Sequence, residues 1–339
     1  MMASGLGDMS HRLALQRQGA GLKRTITTLS QDMTTGLAKD KSAKVKGDFS
    51  ALATINNALH MATARKDTAR SAGMVFAAQQ AILDDLGAQA QSGFLEEFKR
   101  GATPSQSALA WGTRLMEDSF RNAVAQLNTN LGGRALFAGT ATDGAAVMAA
   151  DDMLEAIFQD MIAAYPAGPD PDTAHEFIAA WFAEGGPFDT AGYLGGPQIP
   201  AKLDLGHGMT VGFDITAQDP AFRQVLGAFA TGAILSKGVF AADQPARQAL
   251  LAHASHGLGA AHRSLIDLSA GLGAAEAHAS AGLARAEAEH TAMSMARVEM
   301  LEADPYETAM KLEQAMTQLD MIYNLTARLS RLSLANYLR

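Results

Sequence analysis

The chain has 339 residues, of which 48% are apolar and 18% charged; its net charge is −8 and it contains no cysteine. That length supports two or three domains with a sizeable core, and the composition excludes disorder of the whole chain. The lack of cysteine excludes disulfides, thiolate metal sites and cysteine nucleophiles. Residues 1–48 carry eight basic and four acidic residues, and residues 305–339 carry four and three, so two mildly basic ends flank an acidic middle. Nucleic-acid binding needs a dense basic face, which this distribution does not supply. No apolar run approaches the length of a membrane span, and MMASGLGDMSHRLALQRQ lacks the unbroken apolar stretch of a cleavable signal peptide. The expectation is a protein without membrane insertion that stays in the cytosol or leaves by a route needing no such signal.

In chain order, Leu15, Leu22 and Leu29 recur every seven residues, and Ile26 and Met33 fill the second seam of the same heptad. This predicts a helix from about Ser10 that stops near Gly36, followed by the polar connector KDKSAKVKGD. A second helical pattern opens near Phe49, with Leu52, Ile55 and Leu59 on one stripe, and extends to about Phe98. Thr103-Pro104-Ser105-Gln106 reads as a capping box that starts a helix carrying Trp111, Leu115, Val124 and Leu127. The following GGRALFAGTATDGAAV, with its Thr-Asp-Gly turn, predicts a β-hairpin.

Seven of the ten prolines then fall between Pro166 and Pro220, alongside Tyr165, Phe177, Trp181, Phe182 and Tyr193. This shift predicts a small α+β domain inserted at 149–240, with strands at Lys202–Leu205 and Met209–Ile215 and a helix starting at Asp219-Pro220. After Asp243 the chain is alanine-rich and helical to about Ala303. Some sixty helical residues would extend ~90 Å, with Gly257, Gly259, Gly271 and Gly273 as candidate bends. Asp304-Pro305-Tyr306-Glu307 restarts the last helix with a cap, a first-turn proline and a glutamate at the third position.

The predicted fold class is therefore mainly α: an elongated helical rod with paired N- and C-terminal coiled-coil helices, a β-hairpin, and a small inserted α+β domain. Its expected parts are a terminal assembly domain (1–48 with 304–339), a helical rod domain (49–148 with 241–303) and an outer insert (149–240).

The last helix poses the functional question. Leu312, Met316, Leu319, Ile322, Leu325, Leu329 and Leu332 follow three-or-four spacing, while Tyr323, Ala327, Leu334 and Leu338 lie on a second face. Arg328, Arg331, Ala335 and Arg339 form the main polar strip. A helix apolar on several faces must be buried on several sides, and one partner helix covers only one. Full burial of each leucine is worth roughly 1.5–3 kcal/mol. Completion of a globular core is one reading. The other is that further copies, or related proteins, supply the missing neighbours, with Leu15, Leu22, Ile26, Leu29 and Met33 contributing from the first helix.

Four stretches together resemble the flagellin superfamily: the heptad ending in LSQDMTTGLAKD, then LNTNLGGRALFAGTATDGAAV, MTVGFDITAQDPAFRQVLGAFATGAIL, and most specifically ADPYETAMKLEQAMTQLDMIYNLTARLSRLSLANYL. Residues from about Asp151 to Pro200 carry little of the likeness. The resemblance implies terminal helices forming an inner coiled-coil layer, export through the flagellar type III apparatus, and a structural role in the flagellum. It implies as partners the chain itself, neighbouring hook-associated protein, flagellin, and a cytoplasmic export chaperone for the last helix. MMASGLGDMSHRLALQ and LAKDKSAKVKGDFSALATIN depart from the start and the polar motif of filament subunits. The departures favour the hook–filament junction members, with a filament subunit and a cytosolic coiled-coil scaffold or signalling protein as alternatives.

Chemistry finds little support in the sequence. Gly257-Leu258-Gly259 and Gly271-Leu272-Gly273 lack the third glycine and preceding strand of a dinucleotide loop, and LGGRALFAG lacks the lysine of a phosphate loop. His253 and His256, with His262 nearby, have helix spacing that can bind metal, but no convergent carboxylate accompanies them. Glu96-Glu97 and Asp151-Asp152 are adjacent pairs that point apart on a helix. Trp111 and Trp181 read as core anchors. The expectation is a protein with no enzymatic activity and no cofactor.

Overall fold

The computed structural model describes residues 4–91, 104–198, 201–206, 208–213 and 215–337, with side chains described except at 4–9, 11, 12, 201, 213 and 330–337. The protein is mainly α. The helices are α1 (Ser4–Thr35), α2 (Lys41–Lys44), α3 (Ser50–Ala90), α4 (Gln106–Leu127), α5 (Ala150–Ala164), α6 (Pro171–Phe182), α7 (Pro220–Ala233), α8 (Gln244–Leu301) and α9 (Pro305–Tyr337). Two antiparallel hairpins accompany them, β1 (Asn130–Leu131) with β2 (Arg134–Ala135) and β3 (Ala201–Gly206) with β4 (Met209–Phe213). The chain divides into two compact units, Met1–Thr63 with Glu287–Arg339, and Ala64–Ala286.

Caps explain most helix boundaries. Gly36 takes a left-handed φ of +69°, and its N–H donates to the Asp32 carbonyl, which stops α1. Asp40 caps α2, a turn that forms inside the polar connector. Asp48 receives the Ser50 N–H at the head of α3. The continuation of α3 toward Phe98 lies outside the described residues, as does Thr103. The cap of α4 is Ser105, whose Oγ accepts from the Ala108 N–H, so the helix starts two residues later than a Thr103 cap requires. Asp219 caps α7 and Asp304 caps α9, each with proline in the first turn as the sequence predicts. Helix α8 runs unbroken through Gly257, Gly259, Gly271 and Gly273 for 58 residues. Helical hydrogen bonding tolerates glycine at a cost near 1 kcal/mol, so these residues do not interrupt it.

The first hairpin turns at Gly132-Gly133, where both residues have positive φ (+60° and +82°), as a tight two-residue turn requires. The Thr142-Asp143-Gly144 segment, which the sequence suggested as the turn, lies after both strands.

The core of the second unit is organised around α7, whose sequence alternates bulk and its absence. Phe222, Val225, Leu226 and Phe229 fill the interior, and Gly227, Ala228 and Gly232 admit three neighbours. A Cβ at Gly227 would meet Phe182 of α6 at 3.4 Å, and one at Gly232 would meet the Met116 Cγ of α4 at 2.3 Å. Gly257 of α8 lies as close to Ala228, where a Cβ would have 3.2 Å. The buried face of α4 follows helical spacing through Leu109, Met116, Phe120, Val124 and Leu127. Trp111 falls off that stripe and is half exposed, unlike the core anchor expected; Trp181 is buried, with its Nε1 donating to Asp160 at 3.0 Å. Phe137 packs edge-on against Phe222, and Trp181, Phe182 and Phe188 form an aromatic cluster. Residues 149–240 thus share one apolar core with α4 and with Leu250, Leu251 and Leu258 of α8.

Arg223 locks the irregular segment after α6. Its guanidinium pairs with Asp189, stacks 5.2 Å from the Phe188 ring, and donates to the carbonyls of Ala183 and Gln218 at 3.1 and 2.6 Å. The charge is nearly dry but fully matched, the condition under which a buried ion pair is tolerated.

Replacing Gly232 by valine sets a gain of a few tenths of a kcal/mol in helix propensity against overpacking on Met116, which costs about 1–3 kcal/mol. The net expectation is a lower urea midpoint with unchanged m-value. Gly271, with open space around its Cβ position, should respond oppositely: Gly271→Ala raises stability by about 0.5–1 kcal/mol.

Candidate functional site

In the first unit α1 and α9 pack against each other as an antiparallel pair. The direction follows from two anchor points. Where α1 ends, the Ala38 N–H donates to Leu301 O and the Ala303 N–H to Gly36 O, at 2.8 and 2.9 Å, flanking a bridge between Leu37 and Glu302. Farther along, Gly19 faces Leu319 and Ile322, and the Lys23 ammonium sits 5.6 Å from the Tyr323 ring centroid. The contact with Tyr323, chiefly its side-chain hydrogen bond, raises the Lys23 pKa above its ordinary 10.5. Asp32, buried near the end of α1, accepts the Lys39 N–H at 2.8 Å and ties down the chain as it leaves the pair.

The seam between the two helices keeps strict heptad spacing. On α9 Thr308, Ala315 and Ile322 are buried seven residues apart, with Leu312, Leu319 and Leu329 half-buried between and beyond them. On α1 the matching row is Leu15, Gly19, Leu22, Ile26 and Leu29, all half-buried. A seam of this period takes two of every seven positions. Met316 and Leu325, assigned to the same stripe from spacing alone, each step off it by one residue and are 51% and 52% exposed. Met33, next in the α1 row, is 47% exposed. The side chains of Leu332 and Leu334, and all of Leu338, lie outside the described residues.

Three further apolar side chains on α9 were not singled out by the sequence reading: Tyr306, Met310 and Met321 are 77%, 57% and 57% exposed. Met310 and Met321 are eleven residues apart, three helical turns, and share a face with Leu325. Their spacing could have revealed them. Tyr323 and Met316 mark the opposite flank of the seam. The pair therefore has a covered seam and, on α9, two apolar flanks open to solvent.

The second unit holds cavities of about 660 and 810 Å³. The smaller lies among α6, α7 and α8, lined by His175, Phe182, Arg223, Gln224 and Gly257. Arg223 there is committed to Asp189 and to carbonyls, and Gln224 accepts from Ser264 at 2.7 Å. The larger lies beside α3 and the two hairpins, lined by Ser71, Val75, Arg134, Leu203 and Ile215. At the edge of the first, the His175 and His253 rings stack 4.9 Å apart, and His253 Nε2 lies 2.7 Å from the Asp172 carboxylate. His262 instead meets Gln91, and His256 is exposed, so the three histidines of the candidate metal spacing diverge. Among the described residues no three His, Asp or Glu side chains gather as a metal would require. No described helix is long and apolar enough to cross a membrane.

No family profile and no curated relative matches the chain. Among solved structures it is similar to a protein provisionally assigned as flagellar hook-associated from Vibrio parahaemolyticus, with 14% identity over 76% of this chain and 96% of that one, at a TM-score of 0.42. A likeness this loose carries no weight for family or function.

The burial of His175, beside His253, makes stability depend on pH. Burial, and then the neighbouring His253, push the His175 pKa below its ordinary 6.5, against weaker opposing pulls from Glu176 and Asp172. The unfolded chain binds that proton more readily, so this contribution is present above about pH 6.5 and is lost as pH falls toward the folded-state value. Urea titrations from pH 7.5 to 5 should show a smaller acid-side loss in His175→Phe than in the parent; parallel curves would reject the assignment.

Proposed function

We propose that this chain is a structural subunit of the bacterial flagellum, assembled through the paired first and last helices. The observation that carries the reading is the solvent exposure of Met310, Met316, Met321, Tyr323 and Leu325 after α1 has taken its seam. Exposed apolar patches flanking a covered seam mark association surfaces or aggregation liabilities. An assembly that packs many copies side by side turns the liability into the interface. The assembly surface we assign comprises the paired-helix seam of Leu15, Leu22, Ile26, Leu29, Met33, Leu312, Leu319, Ile322 and Leu329, the exposed flanks at Met310, Met316, Met321, Tyr323 and Leu325, and Leu332, Leu334 and Leu338 from the sequence pattern.

The sequence resemblance supplies the setting. Its departures from filament subunits favour the role of flagellar hook-associated protein 3, which joins hook to filament and lets flagellin polymerise at the hook tip. On this reading the chain is secreted through the type III exporter and acts without catalysis or cofactor. Its neighbours are further copies, an adjacent hook-associated protein and flagellin. A cytoplasmic chaperone covers α9 before export. The three-part division into 1–48 with 304–339, 49–148 with 241–303, and 149–240 is the organisation we assign to the assembled subunit, with the last part outermost.

A deletion strain separates the possible places in the flagellum. Hooks without filaments, with unpolymerised flagellin in the medium, are expected; loss of the main secreted flagellin would instead identify the filament subunit. Normal flagella and a protein confined to the cytosol would reject both in favour of a scaffold.

The double substitution Met321→Asp and Leu325→Asp tests the interface directly. Both positions are exposed in the single chain, so its unfolding free energy should change by less than about 0.5 kcal/mol at each site. Assembly should be abolished, because the contact would bury carboxylates without partners. Motility indistinguishable from wild type would overturn the assignment.

A further inference from the structure

The exposed side chains on α9 share a chemical property beyond being apolar. Three of the five that flank the seam are methionines: Met310, Met316 and Met321, between 51% and 57% exposed. The methionines of the second unit's core, Met116, Met153 and Met161, are at most 1% exposed, while Met33, Met61, Met74 and Met295 are 47–67% exposed, so what sets the α9 group apart is its place beside the seam. The chain has 17 methionines and no cysteine, so thioethers are its only sulfur. A thioether makes a soft, adaptable contact, and it is also the side chain that a peroxide converts from apolar to polar without breaking the chain.

We infer that Met310 and Met321 on one flank of the seam, and Met316 on the other, form an oxidation-sensitive site, at which a peroxide-class oxidant converts the exposed flanks of α9 to methionine sulfoxides and switches off association. Each event is a two-electron oxidation. The sulfur lone pair attacks one peroxide oxygen, the O–O bond breaks, an S–O bond forms, and the second oxygen leaves as water. The sulfoxide oxygen is a strong hydrogen-bond acceptor. It is readily solvated on the free subunit and goes unmatched when the face is covered. The buried α9 row of Thr308, Ala315 and Ile322 contains no methionine, and Met33 at the end of the α1 row is already 47% exposed, so the helix pair itself survives the reaction. The loss of association rests on the reading of these flanks as an interface; the preference over the core methionines rests on exposure alone, and Met33, Met61, Met74 and Met295, similarly exposed, should be oxidised alongside them.

The test treats the full chain with graded hydrogen peroxide, followed by peptide mass mapping, circular dichroism and sedimentation. Met310, Met316 and Met321 should gain oxygen well before Met116, Met153 and Met161, with helix content unchanged. The concentration needed for self-association should rise about tenfold or more, the effect of losing burial of a single methionine. Treatment with methionine sulfoxide reductases of both epimer specificities should restore it. The triple variant Met310→Leu, Met316→Leu, Met321→Leu should associate like the parent and ignore the oxidant. Equal oxidation rates at core and α9 methionines would overturn the site. So would unimpaired association after oxidation, or the same loss in the leucine variant. If the untreated chain does not self-associate, the interface reading fails and takes the switch with it, while the mapping still decides whether the site is selectively oxidised.

Discussion

One helix can cover only one side of another. The α1–α9 pair obeys this limit: the buried positions on α9, Thr308, Ala315 and Ile322, form a single heptad row. Yet α9 is apolar well beyond that row, and the excess has nowhere to go within the pair. The hydrophobic effect has no preferred direction, but coverage does, because helix axes approach no closer than about 8–10 Å. Gly19 faces Leu319 and Ile322 at the middle of the seam, and the helical repeat carries Met310 and Met321 to the side of α9 away from it.

The second unit meets the same limit differently. Helix α7 is buried along nearly its whole length because α4, α6 and α8 each take one side of it. Three neighbours around one helix demand small residues where they converge, and Gly227, Ala228 and Gly232 provide them. The two units are opposite solutions for an apolar helix. In one the chain supplies every neighbour. In the other, among the described residues, α1 covers one side of α9, and Met310, Met316, Met321, Tyr323 and Leu325 stay exposed.

Polar groups in the second unit serve this packing. Arg223 is spent on Asp189, Phe188 and two carbonyls, and Asn128 holds the strand-like segment at Val147 through both its amide N–H and its carbonyl oxygen. Arg223 and Asn128, polar side chains inside the second unit, are bound into the fold.

Much of this was legible in the amino-acid order, because the signals are local. Asp219-Pro220 and Asp304-Pro305 cap helices through atoms two or three residues away, and the heptad of Leu15, Leu22 and Leu29 needs only the helical repeat to form a row. The continuous alanine-rich pattern after Asp243 likewise fixed the nature of α8. Other features depended on what lies across the fold. Spacing of three or four could not separate Met316 and Leu325 from Leu312 and Leu319, since all fit one broad stripe until α1 selects two positions in seven. The hairpin turn had two glycine-containing candidates, and strand pairing chose Gly132-Gly133. Trp111 was placed in the core by its residue type, but the stripe of α4 that meets α7 passes beside it. His253 was spaced for one purpose on its own helix and was claimed for another by His175 and Asp172 of α6. Local sequence sets what each helix can bury; which of those residues it does bury is a question of neighbours, and neighbours are a property of the folded chain.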